Sequence, residues 1–245
     1  MMRHLLQLAV LSAVAPFLAI VMPSVGRAMT LTPMSIELTA GGNRSHAQFQ
    51  VGNDSPAPLP IEIIVERLSY SENGNRQSSA AGDELAIFPA TALIPPGGTQ
   101  TFRVQWVGSP DLGRSQSFVV TARQLPVKWK ADGHARVQIV TAFGAIVNVA
   151  PLAGISDLKL VSSSPTKTAQ GKPAVSILVE NPSDVHALLS NSIIRVGSQS
   201  VNPETIRTMV GIGVVEPRKR RRFLVPLQGP ANGTASLEYR AAQKP

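Results

Sequence analysis

Residues 135 to 151 read ARVQIVTAFGAIVNVAP, a run of strand formers that is apolar on both faces. Side chains of a strand alternate. Val137, Ile139, Thr141, Phe143, Ala145 and Val147 therefore point one way, and Val140, Ala142, Gly144 and Ile146 the other. One face can cover a core of the chain's own. The other is either buried in the same fold or kept for something else.

The residues around this run set its context. The chain starts MMRHLLQLAVLSAVAPFLAIVMPSVGRA, basic first, apolar in the middle, with small residues at Gly26 and Ala28. This pattern predicts a secretory signal peptide over 1–28, cleaved after Ala28, and hence export. A membrane anchor is the competing reading, but Pro16 and Pro23 interrupt the apolar run and no later segment has the length of a span. The remaining stretch of about 217 residues suffices for two domains with real cores. There is no cysteine, so burial must stabilise them without disulfides. Loss of Arg3 and Arg27 would take the formal charge from +8 to about +6. That weakly favours anionic partners, nucleic acid not among them. The run PRKRRRF at Pro217–Phe223 lies between GIGVV and LVPL and is expected to be a solvated hairpin tip.

From Met29 to Pro151, short strand-forming runs alternate with Pro, Gly, Asn and Ser. Strands are expected at 30–38, 46–52, 59–69, 85–94, 100–106, 116–125 and 135–149. Seven strands in about 120 residues, with no convincing amphipathic helix, indicate an immunoglobulin-like sandwich. After APLAGISD a second series begins: LKLVSS, AVSILVENP, ALLSNSIIRVG, SQSVN, TMVGIGVVE, RRFLVPL and ASLEYRAA. The chain is thus read as all-β, with domains at 29–151 and 152–245. The Pro-containing connection near 150–154 would restrict their angle and leave a cleft between them.

Few side chains are suited to catalysis. His46, His134 and His186 lack the i,i+4 spacing of a helical metal pair, and no nucleophile elbow, P-loop or dinucleotide fingerprint is present. Glu62 and Glu66 alternate outward on one strand, and Asp83 and Glu84 share a loop. The expectation is a protein with no catalytic residues, no metal and no cofactor, that is, not an enzyme.

FPATALIPPGGTQTFRVQW (Phe88–Trp106), SFVVTARQLPV (Ser117–Val127) and the apolar last strand occur in that order, followed by ENPSDVHALLSN (Glu180–Asn191) and VVEPRKRRRF. This series resembles the periplasmic pilus-assembly chaperones of the chaperone-usher pathway, the PapD-like family. The resemblance implies two immunoglobulin-like sandwiches in a boomerang with an interdomain cleft. It also implies partners: a pilus subunit, which is a sandwich lacking its final strand, and an outer-membrane usher. The last strand of the first domain would fill the subunit's groove by donor-strand complementation. Matching Gln138-Ile139 to the family's pair gives Val137, Ile139, Thr141 and Phe143 as donor residues, with the even-numbered residues covering the chaperone's own core. Leu125 and Pro126 match the usher-facing patch. A two-domain exported adhesion or structural module that keeps its last strand is the alternative.

Many relatives hold the subunit's terminal carboxylate with two basic residues in the cleft. Here those positions fall on Ser35 and Ile146, which cannot pair with an anion as cations. Together with RQLPV at Arg123–Val127, this suggests the alternative or archaic branch of the pathway. Arg123 and Arg103, on strands expected near the cleft, become the candidate carboxylate anchors.

Overall fold

The computed structural model describes residues 29–126 and 140–241. The first sandwich contains β1 (Thr30–Thr32), β2 (Ser35–Thr39), β3 (His46–Gly52), β4 (Leu59–Tyr70), β5 (Arg76–Ala80), β6 (Leu85–Phe88), β7 (Thr91–Ile94), β8 (Thr99–Trp106), β9 (Gln116–Gln124) and β10 (Ala142–Ala150). One sheet runs β1-β3-β8-β6. The other runs β2-β10-β9-β4-β5, with β7 also on β4. Two of the expected strands are split. Residues 30–38 divide at Pro33 and Met34, so that β1 serves one sheet and β2 the other. Residues 85–94 divide at Pro89, β6 pairing with β8 and β7 with β4. Proline has no N–H to donate to a ladder, which makes it a natural crossing point. Strand β5 was not expected. Its residues RQSSA are exposed throughout and carry no apolar alternation.

The second sandwich contains β11 (Lys159–Lys167), β12 (Pro173–Glu180), β13 (Ala187–Leu188), β14 (Ser192–Val196), β15 (Gln199–Val201), helix α1 (Pro203–Met209), β16 (Val214–Val215), β17 (Arg220–Pro226) and β18 (Ala235–Tyr239). Its sheets run β11-β12-β17, β13-β16 and β15-β14-β18. The helix takes the first two residues of the strand expected over Thr208–Glu216; within that stretch Val214 and Val215 do form β16. Asn202 caps it by accepting the Thr205 N–H at 2.8 Å, and Pro203 stands in its first turn. Buried Ile206 anchors it to the core.

Each sandwich has its own core. Phe49 stacks on Phe102 at 5.1 Å between ring centres in the first, with Leu38, Ile61, Phe118 and Val147 buried around them. Val175, Ile177, Leu189, Ile194 and Val225 form the second. The two domains also repeat one turn. In each, a buried asparagine donates to the carbonyl four residues on at 2.8 Å, Asn53 to Ala57 and Asn181 to Val185. Ser55 and Ser183, two residues on, donate both N–H and hydroxyl to that asparagine's side-chain oxygen. An asparagine so used satisfies polar groups that would otherwise be buried unpaired.

Among the described residues the domains touch at two places. At one, the turn after β4 meets β17: the Arg222 N–H donates to the Glu72 carbonyl at 2.6 Å, and Glu216 accepts the Tyr70 N–H at 2.9 Å. The Arg221 guanidinium lies 3.4 Å from the Tyr70 ring centre and 4.7 Å from that of Phe223, a cation–π contact. Burial lowers its pKa from the ordinary arginine value. The basic run is therefore more than a solvated tip. Arg218 does sit in the turn before β17, but Arg221 and Arg222 join the two domains.

Candidate functional site: the last strand and the cleft

Strand β10 closes the first sandwich. On one edge it runs antiparallel to β9 from Ala142, opposite Arg123, to Val149, opposite Gln116. On the other it pairs parallel with β2, but only from Ile146, opposite Ser35, to Ala150, opposite Thr39. The last bond of that ladder is Ile146 N–H to the Met34 carbonyl at 2.9 Å. Over Ala142–Ala145 no described strand pairs with this outer edge. Because main-chain directions alternate, the N–H groups of Ala142 and Gly144 point the same way as that of Ile146.

The faces are the reverse of the expectation. Ala145, Val147 and Val149 are fully buried in the first core, and Phe143 packs against it half-buried. The odd-numbered residues from 143 to 149 thus face the chain's own core. Even-numbered Ala142 is exposed, and Gly144 and Ile146 lie over β9 on the outer face. At Gly144 a Cβ would come within 2.9 Å of Val119 Cγ2, so the missing side chain makes room for a valine turned outward. Thr141 is half-buried just before the strand, its carbonyl accepting from Gln124 N–H at 2.9 Å. Val137 and Ile139 lie outside the described residues.

Between the domains is a cleft of about 530 Å³. Leu38, Ala150, Ile155, Val185, Leu188 and Tyr239 supply apolar walls, and Glu37, Arg44, His186 and Asn191 supply the polar groups. Neither Arg123 nor Arg103 lines it. Arg123 is held by Glu62, its Nε donating at 2.8 Å and its terminal nitrogen closing an ion pair. Arg103 is exposed on β8, between Gln48 of β3 and Phe88 of β6 in the same sheet. The basic residue that does line the cleft is Arg44, exposed in a 3-10 turn over Gly42–Arg44 and without an ion pair among the described residues. No periodic signal marks it, because it stands in a loop between strands.

The cleft floor is the second place where the domains meet. His186, 6% exposed, sets Nε2 2.6 Å from Glu37 Oε2 and Nδ1 3.1 Å from Ser115 Oγ. The other Glu37 oxygen accepts from Asn148 Nδ2 at 2.9 Å, and Asn148 accepts from Ser117 Oγ at 2.7 Å. The order Ser115, His186, Glu37 is that of a hydrolase triad, but the geometry does different work. The Ser115 oxygen also receives the main-chain N–H of His186 at 3.0 Å. Ser115 is only 9% exposed and is not among the cleft-lining residues. A nucleophile needs both a free lone pair and an open approach. The chain of bonds ties strands of one domain to a loop of the other. Beside it, Asp184 takes two hydrogen bonds from Arg218, both at 2.9 Å, and one from Arg114 at 3.1 Å. The Arg218 bonds are the main cause that lowers its pKa to about 2.

Leu125 is half-buried and Pro126 exposed. The Leu125 N–H donates to the Pro60 carbonyl at 2.9 Å, and Pro60 is paired with Leu93, which is 68% exposed. Leu93, Pro60 and Leu125 make an apolar row across three neighbouring strands at the end of the sheet away from the second domain.

No family model matches the chain, and no curated protein is similar enough in sequence to match. Solved structures do match. A chain of the CsuC–CsuE chaperone–tip adhesion subunit complex from the archaic Csu pili of Acinetobacter baumannii aligns at 14% identity and a TM-score of 0.52, covering 86% of this chain and 96% of that one. A chain of the complex of Salmonella enterica SafA pilin with the SafB chaperone gives 13% identity, a TM-score of 0.52 and the same coverage. The class 5 fimbriae chaperone CfaA gives 13% identity and a TM-score of 0.51, covering 86% of this chain and 98% of that one. The fold, over both sandwiches, is that of the fimbrial chaperones.

Proposed function

We propose that the chain, freed of residues 1–28 in the periplasm, is a chaperone that caps strand-deficient pilus subunits and hands them to an outer-membrane usher. Its working units would be the domains at 29–151 and 152–245. The observation that carries this reading is the half-paired edge of β10, open over Ala142–Ala145 in a fold shared with fimbrial chaperones. An open edge offers main-chain hydrogen bonds to an incoming sheet, and alternate side chains offer specificity. In the sequence, Val137, Ile139 and Thr141 share the odd numbering of Phe143, Ala145 and Val147, which lie on the core face. On this reading one face of the strand serves two cores in succession, the subunit's first and then the chaperone's. Each buried valine or isoleucine is worth roughly 1.5 to 3 kcal/mol. The next subunit's own strand would displace the donor at the usher, so neither ATP nor a cofactor is needed.

Arg44 is the cleft residue suited to receive a subunit carboxylate, in place of Arg123 and Arg103. Leu125 and Pro126, extended by Leu93 and Pro60, form the proposed usher-facing patch. The test is the native mass of the protein purified from periplasm, with and without Ile139→Asp. A stoichiometric small partner present on the wild type and lost from the folded variant is the expected result. Two identical, partnerless species would favour an adhesion or structural module.

A further inference from the structure

A second recess, of about 270 Å³, lies in the second domain and is lined by Ser190, Asn191, Pro203, Arg207 and Arg240. Two guanidinium groups reach it from different elements. Arg207 comes from the last turn of α1, and Arg240 follows β18, where its N–H donates to the Asn191 carbonyl at 2.9 Å. Arg207 touches Asn191 Oδ1 at 3.5 Å and forms no ion pair among the described residues, although Glu204 stands three residues before it on the helix. Glu238 accepts from Arg240 at 3.2 Å and from Arg195 at 3.0 Å, so one carboxylate serves two arginines. Positive charge is left in excess. Turning Asn191 Oδ1 toward Arg207 also leaves its Nδ2 free to donate.

Ser190 forms part of the wall, its main-chain N–H donating to the Ile212 carbonyl at 3.1 Å. We propose that this recess binds a small oxyanion, the charged end of a phosphate or a carboxylate, between Arg207 and Arg240, with the Asn191 side-chain amide completing its hydrogen bonds. Guanidinium groups suit such ligands because their N–H pairs match two oxygens at once. The assignment is independent of the chaperone reading.

The experiment is an amide and arginine Nε–H NMR titration of the full chain with sodium phosphate and, separately, with sodium acetate. Sodium chloride at matched ionic strength is the reference. Saturating shifts at Ser190, Asn191, Arg207 and Arg240 are expected, with at least tenfold weaker binding in Arg207→Gln. Saturation by phosphate alone assigns a phosphate group, and saturation by acetate as well assigns a carboxylate. Arg207→Lys retains the charge without the planar fork and should bind more weakly than the wild type, which keeps the test open if Arg207→Gln folds poorly. Shifts no different from those with chloride would overturn the assignment. So would saturation unchanged in both variants.

Discussion

Strand β10 has two halves that differ in one respect. From Ile146 to Ala150 it is hydrogen-bonded on both edges, whereas from Ala142 to Ala145 its one partner among the described strands is β9. Side-chain alternation continues unbroken through both, with Phe143, Ala145, Val147 and Val149 toward the core. The halves therefore differ in the main chain, and side-chain hydropathy by itself does not reveal which half lacks a second described neighbour. The doubly bonded half is also the one that reaches the second domain, through Asn148, Glu37 and His186.

The largest expected effect breaks the comparison outright. Val147→Asp puts an unpaired charge at a fully buried position of the doubly bonded half, a cost of several kcal/mol, and should leave no folded first domain by circular dichroism. Ala142→Asp, at an exposed position of the singly bonded half, should change stability by no more than about 0.5 kcal/mol. Equal effects would mean that the halves are equally buried. Next in size is Gly144→Ala, whose Cβ meets a stiff valine methyl at 2.9 Å. Overpacking of this kind costs about 1 kcal/mol or more, so Tm should fall by a few degrees. An unchanged Tm would show that Val119 moves aside freely.

The smallest effect sharpens the account of the seam beside the doubly bonded half. Asp184 has its pKa lowered to about 2, first by the Arg218 hydrogen bonds. A depressed carboxyl contributes its stabilisation fully above the unfolded pKa of about 3.9 and loses it as pH falls through the folded value. Carbon-detected NMR should find the midpoint near 2, and Arg218→Ala should move it up toward the ordinary range. A midpoint unmoved by that substitution would assign the shift to another cause.

Much of the fold was legible in the sequence, because exposed and buried residues alternate cleanly in stretches such as Thr99–Trp106. Elements without that alternation were missed. The exposed strand β5 lacks apolar residues, and α1 is a single capped helix of seven residues that shows less as a period than as the Asn202-Pro203 start signal. The site was less legible. A strand apolar on both faces does not say which face is inward, so the parity of β10 over 142–149 is the reverse of the expectation. Contacts between distant segments leave no periodic mark either. Arg123 turns to Glu62, Arg221 to Tyr70 and His186 to Glu37 only because the fold brings them together, while Arg44 reaches the cleft from a loop.

Hydrogen exchange at the amides of Ala142 and Gly144, in the free protein and in complex with a strand-deficient pilus subunit, tests the central claim most directly. Rapid exchange in the free protein that slows on binding, while Ile146 and Asn148 stay protected throughout, is the predicted result. Protection of Ala142 and Gly144 already in the free protein, unaltered by the subunit, would contradict the donor-strand account.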